Sequence, residues 1–207
     1  MRTGAPINLA DDFVALQDPT HALWKQRPST TLQLHQTPAG MQPGLYVATA
    51  YAQRPYGQLR RAHLRCAWRT SGGVLFQLSW DCATPSRTVS DTDHFTDAAA
   101  LMFADQSETP LITMGASGLP VTAWYWRAER EAPMRVSAEG LGTSQRHTDP
   151  DLHARAHWLN GQWRVVIGHS SQRLPERLGL AIWQGSSQDR GGLKSATLAW
   201  VELQARP

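Results

Sequence analysis

Two residues stand out for the chemistry their types and surroundings permit, Lys194 and Met114. The chain carries 18 arginines and only two lysines, Lys25 and Lys194. Lys194 lies in Asp189-Arg190-Gly191-Gly192-Leu193-Lys194-Ser195, ahead of the β-like run Ala196 to Leu203. Gly191 and Gly192 have no Cβ, so backbone here can approach a bulky neighbour, such as a flat cofactor, closely. A primary amine ligates iron once it loses its proton, and burial near a cation lowers a lysine pKa in that direction. The plainer alternative is a Gly-Gly turn followed by a solvated lysine opening an edge strand. Met114 lies in Pro110-Leu111-Ile112-Thr113-Met114-Gly115-Ala116-Ser117-Gly118, a glycine-flanked loop between two strands. Its thioether is a soft ligand suited to iron. A gap-filling methionine under a loop is the alternative.

Other chemical constellations are thin. His153 and His157 share a strand, where their separation is too long for one small ion, and a surface histidine is the better reading of each. Ser170-Ser171 and Ser186-Ser187 lack a Gly-x-Ser-x-Gly setting, and no glycine loop resembles a phosphate cradle. An enzyme acting alone is poorly supported. Cys66 and Cys82 cannot form a four-cysteine zinc site, and with no Cys-x-x-Cys-His any haem would be held without covalent attachment. Net charge is +3, but the arginines are scattered, which argues against nucleic acid as a partner. No apolar run is long enough for a membrane span. The start, Met1 to Asp12, does not read as a signal peptide; an exported form would be one whose leader had been removed.

The elements that must position these residues read as strands. At 207 residues the chain suits one large domain. Residues 1–22 read as an irregular lead-in, with a short helix over Leu9 to Leu16, and 23–207 as a single antiparallel β-sandwich with a few short helices in loops. Strands are expected at Thr30 to His35, Leu45 to Tyr51, Asp97 to Phe103, Val121 to Arg127, Leu178 to Gln184 and Lys194 to Leu203. One hairpin turns at Ser71-Gly72-Gly73, with Trp68 opposite Phe76, Cys66 opposite Leu78 and Cys82 opposite Ala62. That spacing keeps the two cysteines out of disulfide reach and predicts two buried free thiols. A second hairpin turns at Asn160-Gly161, with Trp158 opposite Trp163, Ala156 opposite Val165 and Ala154 opposite Ile167. Glu129 to Asp151, rich in Gly, Ser, Arg and His, reads as a long surface excursion suited to docking.

Met114 in its loop before Trp124-Tyr125-Trp126-Arg127, then Leu180-Ala181-Ile182-Trp183-Gln184-Gly185-Ser186 and Arg190 to Ser195, resembles the haem b (gamma) subunits of periplasmic molybdenum enzymes of the dimethyl sulfoxide reductase superfamily. That group includes the gamma subunits of ethylbenzene dehydrogenase, dimethyl sulfide dehydrogenase, selenate reductase and chlorate reductase. The resemblance runs from about Trp24 to Leu203. It implies a β-sandwich holding non-covalent haem b with Met114 and Lys194 as axial ligands. It also implies a heterotrimer with a molybdenum-cofactor catalytic subunit and an iron–sulfur subunit, a soluble c-type cytochrome as a further partner, and a periplasmic location. Trp124, Trp126, Trp183 and Trp200 are candidates for the pocket wall, with ordinary core as the alternative for each. Arg127 or Arg190 would pair with the haem propionates. Two strong axial ligands leave the iron no open position, so the expected role is electron transfer with no substrate chemistry in this subunit. The rival reading is a carbohydrate-binding sandwich, in which the nine tryptophans would cluster on an exposed face.

Overall fold

The computed structural model describes residues 1–8, 10–38, 40, 55–89, 95–130 and 132–204. The expected strand over Leu45 to Tyr51 lies outside them, as do Met41 and His94. The described chain is a sandwich of two antiparallel sheets. The smaller has the order β1 (Thr30–Gln33), β3 (Arg61–Trp68), β4 (Val74–Asp81), β10 (Gln162–His169), β9 (Leu152–Leu159). The larger runs β2 (His35–Gln36), β12 (Ser195–Ala196), β11 (Arg177–Trp183), β5 (Ala98–Phe103), β6 (Val121–Arg127), β7 (Met134–Ala138), β8 (Gln145–His147), and β13 (Val201–Glu202) also pairs with β11.

Alternation along each strand builds three apolar layers. Leu64, Cys66, Phe76, Leu78 and Trp80 of the smaller sheet meet Leu101, Trp124, Trp126, Leu180 and Ile182 of the larger sheet in the central core. The outer face of the smaller sheet is covered by the lead-in, where Phe13 of a helix at Ala10–Ala15 and Leu16 just after it join Trp24 against Ala67, Leu75 and Val166. The outer face of the larger sheet carries a third cluster, Ala100, Met102, Leu111, Ala123, Val136, Ala181 and Ala196. Among the described residues, no helix is long and apolar enough to cross a membrane.

The Asn160-Gly161 hairpin has the register expected from its sequence, Trp158 with Trp163, Ala156 with Val165 and Ala154 with Ile167. Both turn residues adopt positive φ, which fits the sharp two-residue turn. The first hairpin differs. Cys66 faces Phe76, Leu64 faces Leu78 and Trp68 faces Val74. Gly72 and Gly73 take φ of +103° and +106°, and the Arg69 N–H donates to the Gly73 carbonyl at 3.0 Å, so the turn is centred one residue earlier than expected and the pairing shifts by two. The shift is even, so the apolar face is kept. Cys66 and Cys82 are free and buried, and burial pushes both thiols up, Cys82 to about 12.

Three expected segments are subdivided or replaced. Thr30 to His35 splits at Leu34, whose N–H donates to the Arg60 carbonyl at 2.8 Å, and the chain crosses from the smaller sheet to the larger. The C-terminal strand breaks after Ala196, where Thr197 exchanges hydrogen bonds with the Leu180 backbone at 2.9 and 3.0 Å. The stretch Glu129 to Asp151 is not a loose excursion. Most of it forms the hairpin β7–β8, which extends the larger sheet through Val136 opposite Arg146.

Candidate functional site

The outer face of the larger sheet holds a groove of about 300 Å³. Its floor is made of small side chains, Ala100, Ala123 and Ala181, with Met102 and Val136, while Tyr125 and Trp183 stand beside them. Met114, Gly191, Gly192 and Lys194 close it from the loops. Small floor residues on neighbouring strands let a flat, bulky group lie against the sheet. Tyr125 and Trp183 pack edge to face, ring centres 5.4 Å apart.

Lys194 is 8% exposed. Burial lowers its pKa to about 8 from 10.5. No carboxylate among the described residues lies within ion-pair distance of its ammonium, whose charged contact is the Trp183 ring, 5.2 Å from the centroid. The solvated-lysine alternative is therefore excluded. The following strand is no edge either, since Ser195–Ala196 pairs with both β2 and β11.

The backbone around Lys194 is tied down by residues from distant parts of the chain. The Thr37 N–H donates to the Lys194 carbonyl at 3.1 Å, and the Lys194 N–H donates to Thr37 Oγ1 at 3.3 Å. Tyr56 donates its hydroxyl to the Thr37 carbonyl at 2.7 Å. Buried Asp189 accepts from the Gly57 and Gln184 N–H groups at 2.8 and 3.1 Å; burial raises its pKa to about 6. Gly191 takes φ of +53°, and its carbonyl accepts from the Trp183 indole N–H at 2.9 Å. The glycines are thus turn formers: Arg190 and Leu193 exchange backbone hydrogen bonds across them.

Met114 adopts φ of 58°, a left-handed conformation that costs a non-glycine residue roughly 1–2 kcal/mol. Two hydrogen bonds hold it there, from its N–H to the Leu111 carbonyl at 3.0 Å and from the Gly140 N–H to its own carbonyl at 3.0 Å. Leu111 anchors the loop to the sheet face, where a Cβ at Gly179 would lie 2.5 Å from it. Met114 thus combines backbone strain with a place in the groove lining.

Of the other residues singled out from sequence, Trp183 lines the groove, whereas Trp124 and Trp126 do not. Alternation on β6 turns Ala123 and Tyr125 to the groove and the two tryptophans into the central core, against Phe76 and Phe103, and against Trp80 and Trp163 respectively. Trp200 packs at the margin of the outer-face cluster and donates to the Thr109 carbonyl at 2.8 Å. Arg127 pairs with Glu129 at 2.6 Å and Arg190 lies over the Phe95 ring, so neither lines the groove. Arg146, which does, was missed because its strand was read as loop; so were Met102 and Tyr125, which the same period-two pattern contained. A larger hollow of about 470 Å³ elsewhere is lined in part by Arg135, Asp149 and His169, with Asp149 within ion-pair distance of both of the others.

No family model matches the chain. It is 29% identical to chlorate reductase subunit gamma of Ideonella dechloratans over 90% of its own length and 78% of that protein. It is 26% identical, over 92% of its length and 69% of the relative, to a Haloferax mediterranei protein named as a respiratory nitrate reductase haem subunit. Dimethylsulfide dehydrogenase subunit gamma of Rhodovulum sulfidophilum is 27% identical over 67% of this chain and 58% of its own. A solved family 9 carbohydrate-binding module from Caldicellulosiruptor kristjanssonii aligns with 100% of this chain and 96% of its own at 8% identity and a TM-score of 0.49. The resemblance carried by the motifs thus extends across most of the chain, which is similar to proteins named as gamma or haem subunits of chlorate reductase, respiratory nitrate reductase and dimethylsulfide dehydrogenase.

Proposed function

We propose that this chain is the haem b electron-transfer subunit of a molybdenum oxidoreductase, with Met114 and Lys194 as the axial ligands. The observation that carries the reading is that these two residues, far apart in sequence, line one groove whose floor is small and apolar. The donor set fits. The groove offers a soft thioether and an amine whose burial makes the proton easier to lose, and Lys194 has no carboxylate competing for it among the described residues. Fit to a flat group is supported by Ala100, Ala123 and Ala181 below and by Tyr125 and Trp183 beside it.

When bound, haem supplies a one-electron redox couple. The chain's own residues do the rest. Lys194 gives up a proton to ligate, and its pKa near 8 places that loss close to neutral pH. Met114 would favour the ferrous state of a bound iron and Lys194, as a σ-donor, would temper that preference. Met114 and Lys194 would together hold the iron and would leave substrate no position on it. Tyr125 and Trp183 restrict water beside the groove.

The partners in this reading are an iron–sulfur subunit and a molybdenum-cofactor subunit, with a soluble c-type cytochrome outside the heterotrimer, in the periplasm. It is supported by relatives that are named as gamma subunits of reductases and dehydrogenases. The two cysteines of this chain are too few for a cluster of its own. The carbohydrate-binding reading expects the tryptophans on an exposed face, whereas all nine are buried or half-buried.

Visible spectra of the full chain supplied with haem, oxidised and dithionite-reduced, test the reading. The expected result is a six-coordinate low-spin b-type spectrum that becomes high-spin or disappears in both Met114→Ala and Lys194→Ala. Failure to take up haem, or unchanged spectra in both variants, would overturn it.

A further inference from the structure

The groove is apolar along its floor but ends in a positive charge that no carboxylate among the described residues pairs. Arg146 projects from β8, the outer strand of the larger sheet, and lines the groove while remaining exposed to solvent. Its register places it on the same face as Tyr125: Arg146 pairs with Val136, Val136 pairs with Ala123, and Tyr125 is the next residue of that face along β6. The Tyr125 hydroxyl feels the positive charges of Arg127, Arg146 and Arg130. Among the described residues Glu129 is the only acidic group acting on it, and it is already taken up by Arg127 at 2.6 Å, with Arg130 at 3.9 Å. Arg146 has no carboxylate within ion-pair distance among the described residues. Burial raises the Tyr125 pKa, so its hydroxyl remains a protonated donor, and that hydroxyl makes no hydrogen bond among the described residues.

A guanidinium is a planar donor suited to a carboxylate, and at the rim of an apolar groove it fits a ligand whose body is apolar and whose edge is anionic. We propose that Arg146, with the Tyr125 hydroxyl as a second donor, forms a carboxylate-recognising corner that makes the groove select a macrocycle bearing free carboxylates over its uncharged ester. This rests on the haem reading above. It replaces Arg127, which Glu129 neutralises, and Arg190, which is directed at Phe95.

The test is equilibrium titration of the full chain with iron protoporphyrin IX and with its dimethyl ester, followed by visible absorption, in wild type, Arg146→Leu, Arg146→Lys and Tyr125→Phe. Wild type is expected to bind the free acid about tenfold more tightly than the ester, the size of one charge-assisted contact at a part-exposed site. Arg146→Leu should lose that preference by weakening the acid alone, Arg146→Lys should keep part of it, and Tyr125→Phe should reduce it less. Unchanged ester affinity in Arg146→Leu serves as evidence that the variant is folded. Equal binding of acid and ester by wild type, or full discrimination by Arg146→Leu, overturns the corner while leaving the haem reading standing. Binding of neither compound overturns both.

Discussion

Lys194 is the residue at which stability and function pull in opposite directions. Keeping an ammonium 8% exposed with no carboxylate beside it among the described residues is costly, and the fall of its pKa from 10.5 to about 8 reflects that cost. Below pH 8 the lysine is protonated in both folded and unfolded chains and the penalty is complete. Between 8 and 10.5 the unfolded chain holds more protons than the folded one, so this group's contribution to stability rises with pH; above 10.5 both forms are neutral and the penalty has gone. The full span amounts to about 3 kcal/mol. The buried thiols work the other way, since the raised Cys82 pKa makes the folded state lose ground as pH passes from 9 toward 12. The signal is therefore a difference. Chemical denaturation of the haem-free chain at pH 7.5 and pH 10 should show wild type gaining on Lys194→Met by most of that amount at the higher pH. An unchanging difference would mean that the lysine is solvated, and the amine would then have no reason to lose its proton near neutrality.

At the scale of the element, the larger sheet presents the groove because its outer face is built from alanine where its inner face is built from tryptophan and leucine. Ala123 and Trp124 are consecutive, yet one lines the groove and the other is core. Ala123→Leu is expected to fill part of the roughly 300 Å³ space and to weaken haem uptake by tenfold or more, on the order of one obstructed contact. Melting of the haem-free variant should move little, because the added methyl groups enter open space and not a filled core. A large fall in melting temperature would show the floor to be packed already. The same alternation explains what sequence could and could not reveal. The motif Trp124-Tyr125-Trp126 marked β6, but period two assigns tryptophans and tyrosine to opposite faces without saying which face carries the ligand. The Asn160-Gly161 turn fixed its own register, whereas the Gly72-Gly73 turn admitted a centre one residue earlier, which shifted the pairing by two. The β7–β8 hairpin was hidden because only Val136 and Ala138 of β7 carry a buried apolar signal, amid charged residues.

For the whole molecule, the meeting of Met114 and Lys194 is a consequence of strand order. The Met114 loop leads into β6, and Lys194 precedes β12; the larger sheet brings the two within one groove by placing β5 and β11 between those strands. No spacing in the sequence encodes that, and only the family resemblance linked the two residues in advance. The order also separates what holds the sandwich from what holds the ligand. The central core lies between the sheets, where Trp126 packs against Trp80 and Trp163 at ring-centre distances of 6.3 and 5.2 Å. Trp126→Ala should then cost about 3–5 kcal/mol of unfolding free energy, as large-to-small changes of buried tryptophan do. It should do so with or without haem, since the indole lies on the face of β6 away from the groove. Met114→Ala, by contrast, removes a side chain from a surface loop and should leave the haem-free chain near its original stability. Denaturation of both variants, each with and without haem, separates the two roles. Trp126→Ala should retain the stabilisation that haem confers while lowering the baseline, and Met114→Ala should retain the baseline while losing the haem increment. The reverse pattern would move the ligand to the interior of the sandwich, where Trp124 and Trp126 would become its wall and the alanine face would need another occupant.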